Sequence, residues 1–385
     1  MYILMISRGI PTKEFPQWGC FEQDQAEALQ KAGHKVVVVS VDSRFLLMYR
    51  KLGITYNYRN GIDYYNSFWI PAAITNLISK KLTKVIKEKQ LDRIYHIIEK
   101  KYGKPDLIYG QFFFNTALGV FLKKKYGIPL VGVEHAARFV SDEIDRESLT
   151  QASNVYKYTD CNIAVSSHLA NALNRLFNIQ CEIVHNVYNP YFDSDVFKKQ
   201  TDKHEPFKFI SIGTLESRKG FDVLIKAFKL FKSKYPNSTL TIIGEGEERS
   251  NLTRLLVEED ISENVFLIGR KTKEEIAILL SESDVFILAS RSETFGVVFI
   301  EAMALGLPVV GTYCGGPDDI VNEKNGILVP IDDIIALYNA MEKVYLDYSY
   351  YNKNLIINEC KSNYSSVAIA DKLTKVFTKV LKARK

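Results

Sequence analysis

No run in this chain approaches the roughly 20 consecutive apolar residues that a bilayer-spanning helix needs. Its five cysteines, Cys20, Cys161, Cys181, Cys314 and Cys360, are scattered, and no two form a C-x-x-C pair. That spacing argues against a disulfide framework or a structural zinc site and fits a reducing cytosol. The opening segment Met1–Ile6 is too short for a signal peptide and has no basic leader, so it is read as a buried first strand. The first loop, from Ser7 to Glu22, lacks G-x-G-x-x-G, which counts against a nicotinamide site at that turn. No nucleic-acid-binding motif accompanies the basic segments, so nucleic acid is not an expected partner.

What is present is an ordinary globular composition, 46% apolar and 25% charged, over 385 residues. That length suggests two domains, each able to bury its own core. The net charge of +5 is uneven. Residues 1–190 hold 24 basic and 17 acidic residues, a balance of +7, and the remainder holds 26 and 28, a balance of −2. The densest stretch, 80–104, has nine bases against Glu88, Asp92 and Glu99, with Leu82, Val85, Ile86, Ile94, Ile97 and Ile98 at helical spacing. It reads as a solvated helix face or as a surface drawn to anionic lipid.

Short β-branched runs alternate with helical segments along the chain. Strands are expected at Tyr2–Ile6, Lys35–Val41, Asp106–Tyr109, Leu130–Val133 and Asn162–Val165, with helices at Gly19–Ala32 and Thr116–Lys125. A turn-rich, polar break follows at 188–206. The alternation then restarts, with strands at Phe207–Ile212, Thr239–Ile243, Val265–Leu267, Val285–Leu288 and Pro308–Gly311. Helices are expected at Phe221–Lys234, Arg249–Glu258, Lys273–Ser281, Gly296–Ala304 and Asp333–Leu346, and one amphipathic helix forms the tail, Ser366–Lys382. Such alternation implies parallel sheets covered by helices on both faces. Ligands of such sheets bind beyond the carboxyl ends of the strands, so the loops after strands are where chemistry is sought.

Four of those loops stand out. Gly213-Thr-Leu-Glu-Ser-Arg-Lys-Gly220 joins a strand to a helix and carries Arg218 and Lys219. Two fixed cations would stabilise the charge that grows on a departing diphosphate. The alternative is a basic helix start with solvated ends, which opposes the helix dipole. Ser290 to Ala304 holds Glu293 and Glu301 in a Glu-x7-Glu spacing around Gly296. A glycine at that place lets backbone approach a ligand, and the helix start offers free N–H groups to a phosphate. Eight helical residues rise about 12 Å, so Glu293 is expected in the loop, folded toward the ligand, and Glu301 in a partly buried helix. Gly244-Glu-Gly246 reads first as a tight turn, and Cys314 to Asp319 as a turn that shapes the site.

Together these motifs resemble glycosyltransferase family 4, retaining enzymes of the GT-B fold. The resemblance is carried by Gly213–Gly220 with Asp222-Val-Leu-Ile-Lys-Ala-Phe228, by Gly244-Glu-Gly246, and most specifically by Glu293–Glu301 with Ala302-Met-Ala-Leu-Gly-Leu-Pro-Val-Val310. It implies an α/β protein of two Rossmann-like, doubly wound domains facing each other across a cleft. An acceptor-binding domain is expected at 1–190, with a tail helix at 364–385 crossing back onto it, and a donor-binding domain at 205–362. The resemblance also implies a nucleotide-diphosphate sugar as donor. Arg218 and Lys219 would bind the diphosphate. Phe295, Gly296 and Val297 would offer amides to phosphate or sugar, with Glu293 near the sugar hydroxyls and Glu301 on the ribose. Gly244 belongs to the donor loops, and Gly269-Arg270 lies where the base is held. Many members carry Arg immediately after the glycine that opens the first loop, where this chain has Thr214. Either Arg218 takes over that role, or phosphate binding is weaker than the family norm.

In the first half, Gly19 resembles the glycine loop that approaches the donor phosphates, and His135, after a predicted strand, the histidine beside the donor sugar. Alone, a histidine there is more often structural. Arg138 is read equally as a surface residue or as a contact for an anionic acceptor. Asp193-Ser-Asp195 spells the D-x-D of metal-dependent GT-A enzymes but falls in the linker, so it is read as a turn. No metal or other cofactor is expected, because protein cations replace the metal in GT-B enzymes. The expectation is a hexosyl- or N-acetylhexosaminyl-type transferase, UDP-sugar first and GDP next. Its acceptor would be a glycan or a lipid-linked glycan of surface polysaccharide or glycoconjugate synthesis, and its place the cytoplasm, peripheral on an anionic inner membrane face. Two rivals stay open: a GT-B-like nucleotide-sugar epimerase, and a non-catalytic sugar-nucleotide-binding scaffold of a polysaccharide assembly complex.

Overall fold

The computed structural model describes residues 1–11, 18–42, 51–69, 74, 79–141, 144–193 and 205–384. The chain forms two compact units. The first comprises Met1–Val165, Leu169–Val187 and Ser366–Lys385, and the second Ser166–His168 and Tyr188–Ser365.

Among the described residues, the first unit is built on eight strands: β1 (Tyr2–Ile6), β2 (Lys35–Asp42), β3 (Gly53–Arg59), β4 (Ile62–Phe68), β5 (Leu107–Gln111), β6 (Leu130–Glu134), β7 (Cys161–Ala164) and β8 (Cys181–Ile183). They lie in the order β3-β4-β2-β1-β5-β6-β7-β8. β1 is central, with Leu4 in register with Val37 on one side and Ile108 on the other. Buried on both faces, it reads as an unbroken apolar run. Leu4, Ile6, Val37, Ile94, Ile98 and Ile108 belong to the core beneath helix Lys80–Tyr102. The tail helix Ser366–Lys382 belongs to this unit: Phe377 packs edge-on to Tyr109 at 5.0 Å, and His34 Nε2 lies 2.8 Å from Thr374 Oγ1.

The expectation of a wholly parallel sheet is corrected at one edge, where β3 runs antiparallel to β4. Asn60 and Gly61, with φ of 52° and 78°, make the turn between them, the backbone that a two-residue hairpin of type I′ requires. β3 is mostly exposed and so lacks the buried run that marks the other strands.

The described residues of the second unit form six strands: β9 (Phe207–Ile212), β10 (Ser238–Ile243), β11 (Val265–Leu267), β12 (Val285–Leu288), β13 (Val309–Thr312) and β14 (Gly326–Val329). All pair in parallel, in the order β11-β10-β9-β12-β13-β14. The main segment of the unit runs from Tyr188, ahead of the expected start at 205, and Ser166–His168 joins it. Tyr188 and Phe192 are buried, and the Tyr188 N–H donates to the Tyr364 carbonyl at 3.3 Å. Helix Lys353–Tyr364, with the Asn352 side chain accepting from the Leu355 N–H, is another element that the apolar pattern does not mark. Among the described residues no helix is long and apolar enough to cross a membrane.

Between neighbouring parallel strands, the chain order reverses between β1 and β5 in the first sheet and between β9 and β12 in the second. Such a reversal sends neighbouring loops to opposite faces and leaves a crevice at the carboxyl ends of the two strands.

Candidate active site

In the second unit, the loops after β9 and β12 emerge side by side at the reversal, and they carry the two strongest sequence signals. The Gly213–Gly220 loop ends in a tight turn, Ser217–Lys219, before helix Phe221–Lys234. Gly220 closes that turn at φ 62°, and a Cβ there would overlap the Ala289 carbonyl oxygen. Only glycine meets both conditions without strain.

The turn sends its two cations to different places. Lys219 is 9% exposed, its stem runs over Gly213, and its Nζ bonds the Glu293 carboxylate. Arg218 is 43% exposed and pairs with Glu216 at 2.7 Å. Arg218 thus engages Glu216 through Nε, whereas Lys219 is buried and oriented by Glu293. Thr214 lies in the same loop, where its carbonyl accepts from the Glu216 N–H at 2.8 Å.

Glu293 sits in the loop, as expected, and its backbone fixes it there. Its N–H donates to the Cys314 carbonyl at 3.1 Å, and its own carbonyl accepts from the Gly316 N–H at 2.9 Å. The carboxylate also accepts from Ser290 Oγ at 2.8 Å. The Cys314 thiol beside this pair is pushed up to about 12 by burial. Phe295 is buried and packs 5.9 Å from Tyr364, so its backbone rather than its ring is available to a ligand. Gly296 caps helix Val297–Ala304, whose first amides, Val297 among them, lack intrahelical acceptors. Glu301 is 9% exposed in that helix, among the fully buried Ile300, Ala302 and Met303.

The remaining donor-side positions are tied to the same rim. The Gly244 N–H donates to the Gly269 carbonyl at 3.0 Å, the Leu215 N–H to the Glu245 carbonyl at 3.1 Å, and the Glu248 N–H to the Leu215 carbonyl at 2.9 Å. Arg270, next to Gly269, is exposed. Asp193 pairs with Lys361 at 3.0 Å, and Asp195 lies outside the described residues.

In the first unit, the loops after β1, β5 and β6 gather a second polar cluster. Gly19 precedes helix Cys20–Lys31 at φ 76°, and a Cβ there would overlap the Gly9 carbonyl oxygen. His135 is 8% exposed. Its Nε2 lies 2.9 Å from Gln111 Oε1, while the Gln111 amide donates to Gln25 Oε1 at 3.1 Å. With the Gln111 oxygen accepting, Nε2 carries the proton and Nδ1 presents a lone pair. Among the described residues no group meets full hydrogen-bond geometry with Nδ1, although the Asn186 side chain interacts with the ring. Burial lowers the His135 pKa to about 4, with Glu22 opposing and Arg8 adding to the shift, so the ring is neutral near pH 7. Arg138 donates to Ser148 Oγ at 2.9 Å.

Several residues that sequence reading left without a role support these. The buried Glu134 carboxylate accepts from the backbone N–H groups of Phe113, His135 and Ala136 at 2.9, 3.0 and 2.9 Å, and from the Tyr156 hydroxyl at 2.8 Å. Arg8 forks onto the buried Glu22 at 2.6 and 3.0 Å and lies 4.2 Å from the Phe112 ring centroid. Phe112 has φ 62°, unusual for a bulky residue, and its ring is 4.9 Å from His135. A carboxylate directly before a histidine is the one local signal that could have marked Glu134.

Comparison with known proteins follows the same division. The chain matches the model of Glycosyltransferase Family 4 over residues 23–191 and that of Glycosyl transferases group 1 over 193–359. Between them the two models span most of the chain, and the protein belongs to this glycosyltransferase family, with the GT-B fold. It is 35% identical over 147 residues to an uncharacterized glycosyltransferase of Haemophilus influenzae, a stretch covering 38% of this chain and 41% of that protein. It is 36% identical over 141 residues to the amylovoran biosynthesis glycosyltransferase AmsK of Erwinia amylovora, covering 35% of each. The matched stretches thus span less than half of these two relatives. Among solved structures, a sucrose-phosphate synthase from Thermosynechococcus elongatus superposes over 100% of both chains, with a TM-score of 0.76 at 19% identity. HepE of Anabaena, solved with UDP-glucose, superposes over 98% of this chain and 100% of its own, with a TM-score of 0.70 at 17% identity. At such identity the likeness speaks for the fold.

Proposed function

We propose that this protein transfers a hexosyl or N-acetylhexosaminyl group from a nucleotide-diphosphate sugar to a glycan or lipid-linked acceptor, with retention at the anomeric carbon. The reading rests above all on one observation: the buried Lys219–Glu293 pair beside the glycine-capped helix Val297–Ala304, at the point where the second sheet reverses its strand order. The acceptor hydroxyl attacks the anomeric carbon from the face on which the diphosphate leaves. A leaving phosphate oxygen takes the hydroxyl proton. Lys219, Arg218 and the first amides of that helix carry the charge that develops, without a metal ion. Glu301 holds the ribose and Gly269-Arg270 the base. Of the diphosphates, UDP is the first expectation, a choice that the solved UDP-glucose complex of HepE supports by analogy.

AmsK is named for amylovoran biosynthesis, and LpsE of Rhizobium meliloti, 34% identical over 141 residues, for lipopolysaccharide core biosynthesis. These names favour surface polysaccharide or glycoconjugate as the product. The outer face of helix Lys80–Tyr102 exposes Lys81, Lys89, Arg93 and Lys100, which favours work at an anionic membrane surface.

Titration calorimetry with UDP, GDP and ADP, comparing the wild type with Glu301→Ala, is the deciding experiment. One nucleotide binding at micromolar strength and weakening at least about tenfold in the variant supports the donor site. No binding by any of them removes the donor site and the transferase reading with it.

A further inference from the structure

Arg291 stands two residues before Glu293 and has no part in the reading above. Its side chain is 27% exposed, and it is a hub. Nε donates to Asp332 Oδ1 at 2.7 Å. Nη1 and Nη2 fork onto the Asp222 carboxylate at 3.1 and 2.8 Å, and Nη1 also donates to the Ser217 carbonyl. The Arg291 N–H donates to the Arg218 carbonyl at 2.8 Å. One residue thus ties the Glu293 loop to the first two residues of the turn that carries Arg218 and Lys219. It also ties them to the first turn of helix Phe221–Lys234 and to the segment before helix Ile334–Leu346.

The chemistry suits a brace rather than a ligand. Two carboxylates already neutralise the guanidinium, and the Asp222 fork raises its pKa further. At Asp222, burial acts upward but the Arg291 guanidinium outweighs it, so the carboxyl is held below the usual range. The charges available to a diphosphate are therefore those of Lys219 and Arg218, and Arg291 sets where their backbone stands. Misplacing a catalytic group by about 1 Å can cost on the order of a hundredfold in rate. A planar five-donor fork spans two carboxylates and a carbonyl at once, which an ammonium cannot.

We infer that Arg291 is a positioning residue for the donor diphosphate: it holds the Ser217–Lys219 turn in register with Glu293, so that the cations meet the phosphates. This inference rests on the donor-site reading.

The full chain is titrated with UDP and with uridine, or with GDP and guanosine if guanine is the base selected, as wild type, Arg291→Ala and Arg291→Lys. A brace for the diphosphate predicts about tenfold weaker UDP binding in both variants, with uridine changed by less than about twofold. A merely structural role moves nucleoside and diphosphate together. Equal losses on the two probes, unchanged UDP binding, or full recovery by lysine overturns the inference. If Arg291→Ala loses its cooperative thermal transition, Asp332→Gly serves instead: it removes the acceptor of the Nε bond at a residue 52% exposed, and glycine tolerates the φ of 59° there. It predicts about threefold weaker UDP binding with uridine unchanged, and wild-type UDP binding by this variant overturns the inference. A wild type that binds no nucleoside diphosphate takes down the donor-site reading and this inference together. A binding wild type with unaffected variants takes down this inference alone.

Discussion

The Lys219 ammonium meets the Glu293 carboxylate inside the second unit, although 74 positions separate them in the chain. Their loops leave β9 and β12, neighbours in the sheet that are separated in sequence by β10 and β11. Neither ion is left alone out of water, and the pair is fixed at the strand reversal. If Lys219 stabilises the departing diphosphate, Lys219→Ala lowers kcat by about 10²–10³. It also strands the buried carboxylate and costs about 3 kcal/mol of stability. Adding Glu293→Gln restores stability without restoring turnover. Steady-state transfer rates and urea unfolding of the two proteins check this, and near-normal turnover in Lys219→Ala removes the assigned role.

Gly220 offers a test of the backbone alone. Its left-handed φ and the Ala289 carbonyl packed against it leave no room for a methyl group. Gly220→Ala is expected to destabilise the protein by about 2 kcal/mol or more. The urea midpoint reads the change, and an unchanged midpoint refutes the strain argument.

His135 predicts a pH dependence. Its folded pKa, about 4, lies below the ordinary value of 6.5. Between those values the unfolded chain binds the proton and the folded chain does not. The stabilising contribution is therefore complete above pH 6.5, falls away as the pH drops toward 4, and is on the order of 3 kcal/mol in total. Unfolding curves at several pH values should show a shallower acid decline for His135→Asn than for wild type. Parallel declines would mean that the ring is protonated in the folded state.

Vesicle sedimentation tests the membrane-facing proposal. Binding to anionic vesicles should exceed binding to neutral ones, weaken with added salt, and drop when Lys81, Lys89, Arg93 and Lys100 are replaced by glutamine, by about 1 kcal/mol per base. Tight binding to neutral vesicles without a salt effect contradicts the proposal.

Much of the architecture is readable residue by residue. β9, β11 and β12, helix Phe221–Lys234 and the tail helix occupy the ranges that apolar periodicity marks. Burial on both faces writes a local pattern into a strand, and one buried face writes another into a helix. Glycines at forced turns, and the cation and carboxylate types in the loops after strands, are equally local signals. β3 escaped that reading because an exposed edge strand has little apolar pattern to show, and β4 because Asp63, Asn66 and Ser67 break its apolar run.

The sequence by itself determined the alternating elements, the loops that carry chemistry and the residue types within them. Only the tertiary structure decided which of those residues meet. The two adjacent cations, Arg218 and Lys219, have indistinguishable local contexts, yet one is exposed against Glu216 and the other buried against Glu293. Arg291 gives no local sign of the five bonds that make it a hub, and nothing near His135 in sequence announces Gln111. Periodicity records how each segment is buried, whereas strand order and side-chain partners follow from packing the whole chain, where residues far apart in sequence compete for the same neighbours.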